Sequence, residues 1–415
     1  MALFTGTAGD DDFTGTFTFD SFDLTQGGAD TAEGRSGSDN FLVAGTFGAG
    51  DRLDGGAGSD QLNLAGDYAA GLIVTGLMAR RFEGINFGAG HDYDITLRDG
   101  VNAGGFPMSI YGGALGVADT LRFDGSEETA SGFFISGGLG ADTLIGGQAN
   151  DSFFVFIPSE PDVLRGMGGN DFFSMTDRLA KEFKIDGGLG IDQVSLAGAY
   201  NLTLGPNTMK SVEQINLNPG FSYRLTLNDG NIATASYLTV TGFFLGPDDK
   251  LVLKGGAEAD GSIIATGGQA RDELIGGGGD DQLEGGAGAD DLFGGAGDDF
   301  LRGGTGHDEL TGGDGQDTFA FDDGDSPFGN PDLILDLALS DVINLSGIDA
   351  NGATMADEAF TLIAGPFSGA AGELRLDYDG GLNRTFILMD TDGDAAADER
   401  IAAVGNRTAF TSFEL

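Results

Sequence analysis

Aspartate recurs at every ninth residue near the middle of the chain, at Asp272, Asp281, Asp290, Asp299, Asp308 and Asp317. Each sits in the pattern G-G-x-G-x-D-x-U-x, repeated without a gap from Gly267 to Ala320. U is a large apolar residue: Leu274, Leu283, Leu292, Leu301, Leu310 and Phe319. Glycine holds the second and fourth places, as Gly268, Gly277, Gly279, Gly286, Gly288, Gly295, Gly297, Gly304, Gly306, Gly313 and Gly315. Glycine there permits backbone angles that a Cβ would block and leaves turn carbonyls free to point at a cation. Carboxylate and carbonyl oxygens in a flexible turn, without nitrogen or sulfur donors, suit Ca²⁺ rather than Zn²⁺ or copper.

The elements that must position these groups follow from the same spacing. The x-U-x tail is a minimal strand with one side chain turned inward. One repeat makes a turn and a strand, and two make a coil, so Asp residues of alternate repeats stack at ~4.8 Å. Two carboxylates that close repel by on the order of 3 kcal/mol at an effective dielectric near 20. Six repeats leave roughly four inter-turn sites. A glycine-rich acidic array that only solvates is the alternative; the apolar residues in phase with the Asp argue against it. The first repeat departs from the pattern, with Ala270 where the third glycine belongs.

Isolated copies lie outside the array. They begin at Gly6, Gly34, Gly55, Gly137, Gly146, Gly166 and Gly187, and place Asp11, Asp39, Asp60, Asp142, Asp151, Asp171 and Asp192 at the sixth position. These seven join the array carboxylates as candidate metal ligands. The cluster Asp390, Asp392, Asp394, Asp398 has the alternate acidic spacing that opens an EF-hand loop, but lacks its glycine and its closing Glu. It reads equally as a calcium loop or a solvated turn.

Composition narrows the partners. Lys and Arg number 20 against 66 Asp and Glu, a formal charge of −46. That excess argues against nucleic acid and anionic membranes. Glycine supplies 76 of 415 residues, far above the usual ~7%, with no collagen-like triplet. With no cysteine, the redox compartment is undetermined. No apolar run approaches a membrane span, and MALFTGTAGDDDF reads as no cleavable signal peptide. Weak calcium sites need more calcium than a cytosol offers, so another export route is expected.

A longer repeat underlies the nonapeptides. Residues 60–100 align with 192–230 at an offset of 132 at Leu64/Leu196 and 130 from Phe82/Val212 onward. This is a tandem duplication of a module with calcium-type turns and a calcium-poor stretch. The expected divisions are N-terminal coils 1–54, a first module 55–186, a second copy 187–266, the array 267–320 and a cap 321–415. Alternating apolar residues such as Tyr223, Leu225, Leu227 read as strands, and short turns are expected over 78–83 and 209–213. The predicted fold is all-β: a right-handed parallel β-roll or β-helix solenoid with calcium-binding turns, internally duplicated, under a β-rich C-terminal cap. The calcium-poor inserts are expected to be further coils; a separate β-sandwich is the other reading.

The array resembles that of RTX proteins exported by type I secretion from Gram-negative bacteria. SDVINLSGIDAN and GAAGELRLDYDGG resemble the C-terminal region of serralysin-type metalloproteases. The resemblance covers roughly 267–415. It implies an uncleaved C-terminal secretion signal, recognition by type I secretion machinery, an extracellular or cell-surface location, and folding on extracellular calcium. The ending Phe413-Glu414-Leu415 agrees with such a signal.

The protease chemistry itself is missing. H-E-x-x-H is absent, and the histidines, His91 and His307, read as solvent-facing turn residues. There is no G-x-S-x-G and no thiol nucleophile. Carboxylate-only glycan chemistry stays open, since acidic pairs are too common for any one to be informative. The leading reading is therefore a secreted, non-enzymatic calcium-binding protein that assembles into a surface layer or matrix. Its partners are calcium, further copies of the chain or a cell-surface polysaccharide, and the secretion machinery. An adhesin using Phe106, Tyr111, Phe133, Phe134, Phe243 and Phe244 is the second reading, although core burial is the expectation for those residues. A polysaccharide-active enzyme on a β-helix is the third, weakened by sparse basic residues.

Overall fold

The computed structural model describes residues 1–102, 106–155, 160–176, 183–233, 236–351 and 359–415. Among them every regular element is a strand. The chain divides into two compact units, one of Met1–Leu196 with Asn207–Glu213, the other of Ala197–Pro206 with Gln214–Leu415. Each is a parallel solenoid.

In the first unit one ladder runs through Ala2–Thr5, Asp20–Leu24, Asn40–Val43, Gln61–Leu64, Gly84–Phe87, Met108–Tyr111 and Phe133–Ser136, every pair parallel. It continues through Ser152–Val155 and Phe172–Thr176. Alternation turns every second residue inward, and parallel register sets like upon like. Phe22, Phe41, Leu62, Ile85, Ile110, Ile135, Phe153 and Phe173 form one buried column. Phe4, Phe22 and Phe41 stack at 4.8 and 4.5 Å between ring centres, close to the strand spacing that places them there.

The calcium-poor inserts are coils of the same ladder rather than a sandwich. Their inward residues, Ile85, Ile110 and Ile135, stand in register with the nonapeptide residue Leu62. The coil is wider there, and tyrosines fill the extra space. Tyr93 stacks on Tyr68 and donates its hydroxyl to Leu64 O at 2.9 Å. In the second unit Tyr200 stacks on Tyr223, at the positions the duplication assigns to that pair. The short turns begin two and three residues earlier than expected, over 76–78 and 206–208, each followed by a two-residue strand.

In the second unit the array supplies two facing ladders. Ser262–Thr266, Gln282–Gly288, Phe300–Gly306, Thr318–Asp322 and Val342–Gly347 make one. Leu251–Lys254, Glu273–Gly277, Asp291–Ala296, Glu309–Asp314 and Leu333–Ile334 make the other. Leu274, Leu292 and Leu310 stack on one side, and Leu283, Leu301 and Phe319 on the other, all buried. The cap extends both ladders. Phe413–Glu414 pairs with Val342–Gly347, and Glu399–Val404 pairs with Leu333–Ile334. From there Arg384–Asp390 and Glu373–Asp379 turn the sheet antiparallel, so the ladder does not end on a flat parallel edge.

Candidate metal centres

The sixth-position aspartates are buried and form columns linked by their own backbone. Asp272 N–H donates to Asp290 Oδ1 at 2.7 Å, Asp290 N–H to Asp308 Oδ1 at 2.8 Å, and Asp308 N–H to Asp332 Oδ1 at 2.8 Å. On the other edge Asp281 donates to Asp299 at 2.8 Å and Asp299 to Asp317 at 3.0 Å. One oxygen of each carboxylate thus serves the coil before it. The fate of the second oxygen separates the turns into two kinds.

In the closed kind, Oδ2 accepts the N–H of the repeat's second residue. Gly268 donates to Asp272, Gly277 to Asp281, Gly138 to Asp142 and Gly147 to Asp151, at 2.6 to 2.7 Å. Thr7 does the same for the half-buried Asp11. In the open kind, Oδ2 is buried with no partner: Asp39, Asp60, Asp171, Asp192, Asp290, Asp299, Asp308 and Asp317. The backbone explains the difference. Every open turn has its second residue in the left-handed region: Arg35, Gly56, Met167, Gly188, Gly286, Gly295, Gly304 and Gly313. None of the closed turns does. A left-handed second residue turns its N–H away from the carboxylate. For Arg35 and Met167 that conformation carries a strain of on the order of 1 kcal/mol or more.

The open turn is oxygen-lined. A Cβ on Gly285 would lie 2.5 Å from Asp290 Oδ2 and 2.6 Å from Gly303 O of the next coil. A carboxylate oxygen and a carbonyl oxygen therefore face one small space, which the first glycine keeps free of a side chain. At Gly304 (φ +89°) a Cβ would collide with Gly286 O of the coil before, so this position needs glycine for both angle and clearance. Paired hard oxygens, one of them an orphaned buried carboxylate oxygen, fit Ca²⁺. The residues that would hold it are the open-turn aspartates with the carbonyls of the neighbouring coil.

Burial sets the electrostatics. It pushes Asp171, Asp290 and Asp332 up to about 8, Asp151, Asp162 and Asp299 to about 7, and Asp60, Asp142, Asp192, Asp281, Asp308 and Asp317 to about 6. Hydrogen bonds from the neighbouring backbone N–H offset part of this, and adjacent carboxylates add to it for most of the group. Without a cation, Asp171, Asp290 and Asp332 hold their protons at neutral pH, and Asp151, Asp162 and Asp299 hold theirs in part.

Residues 254–414 match the family described as Peptidase M10 serralysin C terminal, and residues 47–67 and 134–154 match the RTX calcium-binding nonapeptide repeat. The chain carries RTX calcium-binding repeats and a serralysin-type C-terminal region. No protease domain is among these matches. No curated protein matches the chain.

The RTX columns reach further than the repeats read from sequence. Asp20 joins Asp39, Asp60 and Glu83 in one column, and Asp151, Asp171, Asp192 and Glu213 form its duplicate. Asp30 and Asp51 follow Asp11, Asp162 follows Asp142, and Asp332 and Asp341 extend the array. Their one sequence signal is Asp two residues before an inward apolar residue, as in Asp332-Leu-Ile and Asp341-Val-Ile. The Asp390 cluster is different. Both Asp390 oxygens accept backbone N–H groups, from Gly393 at 2.7 Å and Ala395 at 3.1 Å, leaving that carboxylate with turn partners of its own. His91 and His307 are half-buried; His307 Nδ1 meets Pro331 O and His91 lies edge-on to Tyr93.

Proposed function

We propose that the chain is a secreted, non-enzymatic RTX protein that folds on extracellular calcium and serves as an assembling component of a surface layer or matrix. The observation that carries this is the open turn. Eight buried carboxylate oxygens are without partners, and six of them, those of Asp39, Asp60, Asp171, Asp192, Asp290 and Asp299, share the space at the turn's first glycine with a backbone carbonyl, an arrangement that is stable once a divalent cation joins them. The sites proposed for calcium are accordingly those of Asp39, Asp60, Asp171, Asp192, Asp290, Asp299, Asp308 and Asp317. The closed turns of Asp11, Asp142, Asp151, Asp272 and Asp281 would be held by backbone alone, or switch on binding.

Low calcium inside the cell would keep the polyanion unfolded for export by type I secretion, in line with the serralysin-type C-terminal match. Each site with calcium at 100 times its dissociation constant adds ~2.7 kcal/mol to the folded state, so a few sites rival the stability of a whole domain. The formal charge of −46 then becomes an assembly device, since calcium can bridge acidic faces of different copies. Far-UV circular dichroism during a calcium titration, followed by light scattering and electron microscopy, tests both halves. Full β content in excess chelator would refute calcium-driven folding, and a monodisperse monomer at high protein and millimolar calcium would refute assembly.

One observation favours a second reading, binding of a surface glycan. Of the aromatics expected in the core, Phe133 is buried, but Phe106, Tyr111, Phe134, Phe243 and Phe244 are exposed, Phe106 by 72% and Phe244 by 71%. Phe134 and Phe154 stand 6.3 Å apart on the outer face of one ladder, with Phe172 beyond. Apolar rings on a polar surface stack on sugar faces. A glycan screen with calcium-loaded protein separates this role from self-assembly.

A further inference from the structure

Outside the nonapeptide turns, three carboxylates of the second unit converge. Asp229 follows the strand Tyr223–Thr226, while Glu258 and Asp260 follow Leu251–Lys254 in the next coil. One carboxylate oxygen from each lies within 4.8 Å of the other two. Asp229 and Asp260 are exposed, but Glu258 is only 3% exposed. Its Oε1 accepts the Gly261 N–H at 3.3 Å, and its Oε2 is buried with no partner.

An ionised Oε2 lacks a donor, and leaving a buried polar atom unpaired costs about 1–3 kcal/mol. A cation seated among the three carboxylates satisfies Oε2 and relieves the repulsion between them. Oxygen donors spread over this distance suit the 2.3–2.6 Å bonds and loose geometry of Ca²⁺ better than the tight octahedron of Mg²⁺.

The cluster lies one coil before the Asp281 turn, whose Gly277 faces Glu258 O, and it contains no column aspartate. The column position of the coil falls on Ile263, whose N–H donates to Asp281 Oδ1 at 2.6 Å. The first module offers a natural comparison at the offset of 130 residues: Asp99, Glu128 and Ala130 stand where the second has Asp229, Glu258 and Asp260. Glu128 is equally buried, with Oε2 unpartnered and Oε1 taking the Ala130 N–H at 2.9 Å. The third carboxylate is what the second copy adds.

We propose that Asp229, Glu258 and Asp260 form a calcium site of their own in the calcium-poor part of the second module. It does not depend on the reading of the nonapeptide turns. The test uses the full chain crystallised in calcium, with long-wavelength anomalous maps, and equilibrium dialysis with radioactive calcium. An anomalous peak among the three carboxylates is expected. Asp260→Ala, which installs the residue of the first module at an exposed position, should remove that peak and lower the stoichiometry by one ion per chain. Glu258→Gln should do the same. Filled turns with an empty cluster, or unchanged stoichiometry in both variants, would overturn the proposal. A filled cluster beside empty turns would support it while refuting the turn reading.

Discussion

Replacing Asp290 by Asn separates the two demands that the column makes on a carboxylate. Asn keeps the oxygen that accepts Asp272 N–H at 2.7 Å and removes the charge from the buried, unpartnered Oδ2. Burial pushes Asp290 up to about 8, against ~3.9 in an unfolded chain. At neutral pH the cation-free fold must therefore take up a proton that the unfolded chain does not hold. Over about three pH units that is a handicap on the order of 4 kcal/mol. The amide NH₂ of Asn, if it finds no acceptor, returns about 1–3 kcal/mol of it. In chelator, Asp290→Asn should thus be as stable as the parent or more so, by up to a few kcal/mol. In saturating calcium it should lose ~2.7 kcal/mol for each site it empties at 100 times the dissociation constant.

Asp281→Asn is the control, because Asp281 Oδ2 already accepts Gly277 N–H at 2.6 Å. An amide there turns an acceptor into a donor facing a donor, so the loss should appear in chelator as well as in calcium. Urea melts followed by far-UV circular dichroism, in chelator and in millimolar calcium, give both comparisons. If Asp290→Asn is destabilised equally in the two conditions, or if Asp281→Asn reproduces its change of sign, the division into open and closed turns is wrong.

The cation-free protein should respond to pH in the sense opposite to ordinary acid denaturation. Twelve of the column carboxylates, Asp60, Asp290 and Asp299 among them, have folded values raised to between about 6 and about 8, so their stabilising protonation is complete below about pH 4 and lost as pH rises through those values. Circular dichroism in chelator should show more β structure near pH 5 than near pH 8, and calcium should abolish the difference. Gly304→Ala should cost at least ~1–3 kcal/mol in calcium, from a left-handed angle and a clash with Gly286 O, read from the urea midpoint. A chain ending at Ala320 should lose calcium-induced folding of the array, or need at least tenfold more calcium, because Asp332 Oδ1 no longer meets Asp308 N–H; a calcium titration decides it.

The array and its core were legible in the sequence because Asp and the inward residue keep one eighteen-residue step per coil, as from Asp281 to Asp299. Asp332 and Asp341 escaped because that step lengthens to 24 and the Gly-Gly pair is missing from both turns. Which turns are open was beyond the sequence for a different reason. Gly277 and Gly286 hold the same place in identical Gly-Gly pairs, yet only Gly286 is left-handed; glycine permits both angles and the neighbouring coil chooses. Arg35 and Met167 take the left-handed angle without glycine's freedom, so glycine at the second place does not by itself mark an open turn. The exposed aromatics were misplaced because alternation fixes that Phe133 and Phe134 face opposite ways, but not which of them faces in.

The columns also have a direction, and it bears on how such a chain would fold. Within a column each aspartate N–H except the last donates to a carboxylate one coil closer to the C-terminus. A coil added at the N-terminal end finds its acceptor already in place; a coil added at the C-terminal end must bring its own. The first column of each duplicated set ends on a glutamate, Glu83 or Glu213, whose Oε2 accepts the last aspartate N–H at 2.7 Å. The longer side chain reaches across where the coil widens and the aspartate period breaks. The array ends instead on Asp332 and Asp341, held by the cap. Because the backbone donors of one coil depend on the carboxylates of the next, ordering should spread from these closing residues toward the N-terminus. A segment that orders the last coil therefore does more than cover an exposed end: it supplies the first acceptors of the column.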